Sequence, residues 1–318
     1  MNVHAAVTSH QLHPFITFDA AQGAIDTEPT SINDAGQVVG WYNDGSGVHG
    51  GRGFLREPNA SIVLFDVPNS THTLPTGINN SCHITGYFGD GTHDMGFVRE
   101  HNSVFVVFEV PGSTFTQPAA INAGGVLTGS FGNPAGVLGF LRHPDASIIT
   151  FSVPNADTTS PAAINSSEDV TGAYSSGVGQ AHGFVRLSSG VVTTFDVPAS
   201  NYTSPIAINA AREIAGHYGD ATGHVHGFIR HHNGSFTTFD VPSSIYTIPT
   251  GLTSSGEITG YYAELGGKIR GFLRHHNGTI DTFDVPNGTD TSPSAINRGR
   301  QVIGTFSDSG AIRGFLRS

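Results

Sequence analysis

Apolar and polar positions along this chain fall into short runs. Four to seven residues rich in Val, Ile, Phe, Tyr and Thr alternate with clusters of Gly, Asn, Asp and Ser. No window carries the 3.6-residue period of an amphipathic helix. In the stretch that begins at Pro205 the runs are PIAIN, EIAGHY, HGFIR and SFTTFDV. Their β-branched and aromatic content predicts four strands. An Asn-Ala-Ala-Arg turn, a GDATG loop and an HHNG turn separate them, and Asn-Gly is a hairpin signal. Short hairpin links predict consecutive antiparallel strands. A longer polar link containing Pro then leads to the next set.

The set recurs. A phrase like FDVP begins at Phe18, Phe65, Phe108, Phe151, Phe195, Phe239 and Phe283. A GFLR-like phrase ends at Arg56, Arg99, Arg142, Arg186, Arg230, Arg274 and Arg317, at spacings of 43 or 44 residues. Four antiparallel strands per ~40–45 residues is the signature of a β-propeller blade. The expected fold is therefore all-β: a seven-bladed β-propeller with four antiparallel strands per blade. The chain opens with a lone fourth-type strand at 15–20 and ends with a third-type strand. The N-terminal strand is expected to complete the C-terminal blade and close the ring, whereas a linear solenoid would need polar caps. The expected organisation is a tail at 1–14 and one domain at 15–318. Its repeats lie near 29–67, 75–110, 118–153, 161–197, 205–241, 249–285, and 293–318 plus 15–20. The first strand type is placed near the axis and the FDVP strand at the rim. Tyr42 and its equivalents, with the Phe of GFLR and FDVP, are expected to pack between blades.

Composition narrows the partners. The net charge is −11, Lys268 is the only Lys, and seven of the 14 basic residues are the repeat Arg. No basic stripe exists to neutralise phosphates, so nucleic acid is not expected as a partner. The longest apolar stretch, near 104–110, is too short to span a bilayer, so no membrane insertion is expected. MNVHAAVTSH has neither the basic n-region nor the apolar h-region of a signal peptide. Cys82 is alone, so no intrachain disulfide is expected. The chain is expected to be a monomer.

The pattern INxxGxxxGyy…HGFLR…FDVP, seen from Ile208 to Pro242, resembles the bacterial HAF-type repeat β-propeller family. The resemblance covers the chain from Phe15 onward, with HGF at His182 and His226. Leu252-Thr253 departs from Ile-Asn, and Arg52, Met95, Leu138, Arg270 and Arg313 replace the His before GF. The resemblance implies the repeat type and an extracellular or periplasmic location. It implies no activity, because a fold hosts many functions.

Positions equal in every repeat serve the blade, and variable positions carry local chemistry. The repeat Arg and the FDVP Asp are read as blade hydrogen bonds and ion pairs. The Asn of Ile-Asn is read as a turn residue bonding its own backbone. Among variable columns, the second strand carries Trp41, Tyr87, His217 and Tyr261. The link carries His72, Tyr202 and Tyr246. Loops add His49, His93, His224 and Lys268, and the position before GF adds His182, His226, Arg270 and Arg313. These groups are expected to meet on one loop-rich face. Trp41, Tyr87, Tyr202, Tyr246, Lys268, Arg270 and Arg313 are the candidate ligand-binding residues, since aromatics and Arg offer contact area. The competing structural reading has the aromatics filling gaps between blades and the His as surface polar groups. Asp44, Asp90, Asp220, Glu264 and Asp308 are read as turn residues.

Two functions follow. One is an extracellular scaffold binding a small molecule, carbohydrate or protein on the loop face. The other is a lyase or hydrolase acting on an acidic or sugar-like ligand. His182, His217 or His226 would be its base or metal ligand, Tyr261 or Tyr202 its acid, and Arg270 or Lys268 its anion holder. A divalent metal is compatible with those His, but the metal site is unknown and no cofactor is strongly implied. No G-x-S-x-G elbow and no H-E-x-x-H motif is present.

Overall fold

The computed structural model describes residues 14–47, 50–177 and 179–318. His49 and nearly all of the expected tail at 1–14 lie outside the described residues. Among those described, the regular elements are 28 β-strands and no helix. The all-β expectation therefore holds.

In the fifth repeat the strands are Tyr202–Ile208, Ile214–Gly219, Val225–Arg230 and Phe236–Phe239, paired antiparallel in chain order. The strand Phe15–Phe18 pairs antiparallel with Ala311–Arg317, setting Phe15 opposite Arg317 and Phe18 opposite Gly314. Single parallel bridges join the third strand of one repeat to the first strand of the next: Asp26 to Ile312, Val137 to Thr158, and Val225 to Tyr246. No sheet closes on itself.

The first strand begins earlier than its sequence suggests. Pro205 reads as a strand start, yet the strand begins at Tyr202, and Pro205 sits at a bulge where the register shifts before Ala207. The ladder loses little to the missing N–H there. The bulge also thrusts a carbonyl at the second strand. A Cβ on Gly216 would lie 2.2 Å from the Ser204 oxygen, and the equivalent glycines are as tight, so no larger residue fits. A buried Thr fixes the strand's entry: the Thr203 hydroxyl accepts the Val197 N–H at 3.1 Å, and Thr73, Thr116, Thr159, Thr247 and Thr291 repeat the contact. The link column therefore belongs to a strand rather than to a loop.

The core is built between repeats. Phe54, Phe97, Phe140, Phe184, Phe228, Phe272 and Phe315 of the GFLR phrases are all fully buried, each contributing roughly 1.5–3 kcal/mol. The repeat Arg differ from expectation. Each guanidinium lies over the FDVP Phe of the preceding repeat, from 4.4 Å for Arg317 on Phe283 to 5.1 Å for Arg56 on Phe18. They act as cation–π struts between repeats, and burial lowers the pKa of each.

The Ile-Asn turns add a second seam. The Asn209 Oδ1 accepts the Glu213 N–H within its own turn, as expected. Its Nδ2 also donates to the Thr253 carbonyl of the next repeat. The same donation runs from Asn33 to Asn79, Asn79 to Asn122, Asn122 to Asn165, Asn165 to Asn209, and Asn297 to Asn33. Thr253, lacking an amide, is where the series of donors is interrupted.

Candidate functional site

Adjacent strand residues point to opposite faces, and this sorts the candidate residues into two groups. In the fifth repeat His217 pairs with Ser204 and Gly227, whereas Tyr218 pairs with His226. His217 therefore shares a face with the link column, and His226 lies on the reverse face. The same offset separates Trp41 from Arg52, and Tyr261 from Arg270.

On the first face, the link and second-strand columns meet as aromatic pairs at the link end of the inner strands. His72 and Tyr87 have ring centroids 6.1 Å apart, Tyr202 and His217 5.9 Å, and Tyr246 and Tyr261 6.2 Å, all edge-on. Gly219 allows this closeness, because a Cβ there would fall 2.3 Å from the Tyr202 ring. All six rings are half-buried. Burial raises the phenol pKa of Tyr87, Tyr202, Tyr246 and Tyr261; for Tyr246 the neighbouring Tyr261 and Asp290 add to it. Burial pushes His217 down to about 4, and its Nδ1 is buried without a hydrogen-bond partner. Trp41 pairs with Glu28 and sits against Gly51, close to Leu74 of the second repeat. His72 Nε2 is 3.1 Å from Asp94 but off the line of a hydrogen bond, and Asp94 also accepts from Gln117 at 2.6 Å.

The reverse face is occupied by closed pairs. His182 stacks near Tyr174 and its Nδ1 is 2.9 Å from Asp196. His226 stacks on Tyr218 between Asp240 at 2.9 Å and Asp220 at 3.3 Å. Burial works against its charge, but the two carboxylates outweigh burial and its pKa is raised. Arg52 bonds Asp66 at 2.7 Å, Arg313 bonds Asp19, Lys268 lies 3.3 Å from Asp284, and Arg270 lies 3.8 Å from the same carboxylate. The FDVP Asp thus pairs with the residue before GF, two strands' ends meeting across one hairpin. That partnership was readable from the joint recurrence of the two columns. The one loop-rich face expected from sequence is in fact split by the strand pleat.

Acidic loop residues behave as turns. Asp90 accepts Thr92 and His93 N–H groups, and with the Thr92 hydroxyl they hold its pKa at about 2. Asp220 accepts Thr222 and His224 in the same way. Among the described residues no group of three or more His, Cys, Asp or Glu is arranged to hold a metal ion. A cavity of about 240 Å³ lies at the opposite, turn end of the inner strands, lined by Asn33, Asn79 and Asn297 among others. Those amides are already committed to the seam between repeats, which makes this end the poorer candidate.

No helix among the described residues is long and apolar enough to cross a membrane. No protein-family model matches the chain, and no curated protein matches it. Solved structures do. The chain is similar to virginiamycin B lyase from Staphylococcus aureus, at 14% identity, a TM-score of 0.63, and coverage of 96% of this chain and 98% of that one. A streptogramin B lyase structure is similar at 14% identity and a TM-score of 0.64, covering 96% and 98%. The β-propeller domain of the Trilobed protease from Pyrococcus furiosus is similar at 10% identity and a TM-score of 0.65, covering 93% and 95%. At such identities the likeness speaks for the fold: the chain has a β-propeller architecture.

Proposed function

We propose that this chain is a ligand-binding propeller whose site is the aromatic mouth at the link end of the inner strands. The carrying observation is the trio of aromatic pairs, His72 with Tyr87, Tyr202 with His217, and Tyr246 with Tyr261. Equivalent positions elsewhere hold Ser130, Ala173 or Thr305. Blade packing needs equal residues in every repeat; unequal aromatics left half-exposed suit a ligand. The finer architecture is part of the proposal: seven four-stranded blades, closed by the strand Phe15–Phe18 on Ala311–Arg317. Supporting closure are that pairing and two bonds from the last repeat to the first, Ser294 Oγ to the Pro29 carbonyl and Asn297 Nδ2 to the Asn33 carbonyl. Membership of the HAF-type repeat family, an extracellular or periplasmic location and a monomeric state belong to the proposal too, the first two resting on the repeat motif.

A lyase or hydrolase using His182, His217 and His226 has less support. A general base works best with a pKa near the operating pH, and His217 is pushed to about 4. His182 and His226 face away from it, held by carboxylates. The test uses Trp41, the only Trp in the chain, as a built-in reporter. A panel of sugars, aromatic compounds and small organic ions is titrated while its fluorescence is followed. A ligand should shift the emission saturably, and Tyr202→Ala or Tyr261→Ala should each weaken binding by about 1–2 kcal/mol. Saturable binding by calorimetry that leaves Trp41 silent and survives both substitutions would place the site elsewhere.

A further inference from the structure

We infer that this mouth selects a small organic cation, an ammonium or amine-bearing molecule, over a neutral or anionic molecule of the same shape. The inference rests on the binding reading above and adds the charge of the occupant. Asp26 and Glu28 stand in the first repeat at the link end of the inner strand, and Asp290 stands at the same end of the seventh. Asp290 accepts the Ile269 N–H at 2.8 Å, where the chain enters the third strand of the sixth repeat, and it acts on the Tyr246 phenol, so this carboxylate adjoins the aromatic pair of the sixth repeat. No Lys or Arg occupies the link column, the second-strand column or the first-strand column of Glu28 in any repeat. The cations that could have held an anion, Lys268, Arg270 and Arg313, are engaged by FDVP carboxylates, and Lys268 also donates to the Gly288 carbonyl of the link at 3.4 Å.

Two forces then act in one direction. Ring faces carry negative potential and attract cations, more so where water is displaced. Carboxylates gathered at one end of the inner strands add the same sign of field. Burial, and after it repulsion from Asp26, raises the pKa of Glu28, as for a carboxylate pair that lacks a cationic partner. A bound ammonium would supply that partner, while His217 stays neutral and adds no competing positive charge.

Three probes of one shape separate charge from fit: choline, 3,3-dimethylbutan-1-ol and 3,3-dimethylbutanoate. Each is titrated into the full chain by calorimetry, with Trp41 fluorescence as the local readout. Choline should bind about tenfold more tightly than the alcohol, with the carboxylate weakest. Glu28→Gln, nearly isosteric, should erase most of that preference while the alcohol's affinity stays within about twofold. Preference for the alcohol or the carboxylate, or a preference for choline unchanged in Glu28→Gln, overturns the charge assignment and leaves the mouth as a site. Failure of all three probes while another member of the wider panel binds at Trp41 overturns it equally. Failure of every compound in that panel overturns the binding reading itself.

Discussion

Consider Arg142→Met, which removes one strut between repeats while keeping most of the side chain's length. The Arg142 guanidinium lies 4.7 Å from the centroid of Phe108, and the residue is 7% exposed. A desolvated cation–π contact contributes about 1–2 kcal/mol. Against it stands the cost of burying the charge, which lowers the Arg142 pKa. Its hydrogen bond to the His143 carbonyl is long at 3.4 Å. The net loss should therefore be about 1 kcal/mol. At about 2.1 cal/mol/K per residue the unfolding entropy of the chain is roughly 0.7 kcal/mol/K, so the melting midpoint should fall by about 1–3 °C. Phe108→Leu and the double variant complete a cycle by denaturant titration, whose coupling should be about 0.5–1.5 kcal/mol. Trp41 ligand binding should be unchanged, because the strut lies far along the strand from the mouth. A coupling of zero would refute the strut and leave Arg142 as packing alone.

Other expectations follow from single contacts. Deleting residues 1–20 removes Phe18 from under Arg56, Phe15 from Phe283 and Phe315, and Asp19 from Arg313; calorimetry should show a fall of about 10 °C or complete unfolding, and an unchanged midpoint would contradict closure. His217 is depressed from 6.5 to about 4, so the unfolded chain binds its proton first as pH falls. Native stability should drop between roughly pH 6.5 and 4 by up to about 3 kcal/mol, and His217→Phe should flatten that part of the profile. His226 is raised, so its contribution is present below about pH 6.5 and fades as pH rises through the folded value. His226→Gln should cost more stability at pH 5.5 than at pH 9, and it should spare ligand binding.

The repeat made strand number, order and antiparallel pairing readable, because turn chemistry and strand composition recur together. Burial of the GFLR Phe was equally readable. Three features were not. Pro205 disguised the start of its strand, since a bulge and a strand start tolerate the same residue. The Arg–Phe struts join residues 34 to 38 positions apart in different repeats, a pairing no local pattern announces. The two-faced division of the candidate residues depended on register: His217 and His226 look like neighbours on a hairpin, and a one-residue offset sends them to opposite faces. The aromatic columns, by contrast, were found by comparing repeats with one another. Tyr202, His217, Tyr246 and Tyr261 stood out there because their columns vary from repeat to repeat.

The account turns on whether the aromatic mouth holds a ligand. A crystal structure of the protein with choline, or with whichever panel compound binds most tightly, tests this directly. Density is predicted at the link end of the inner strands, in contact with Tyr246 or Tyr261 and within reach of Glu28. Density confined to the asparagine-lined turn end, or to the paired His226 and Asp240 on the reverse face, would contradict it.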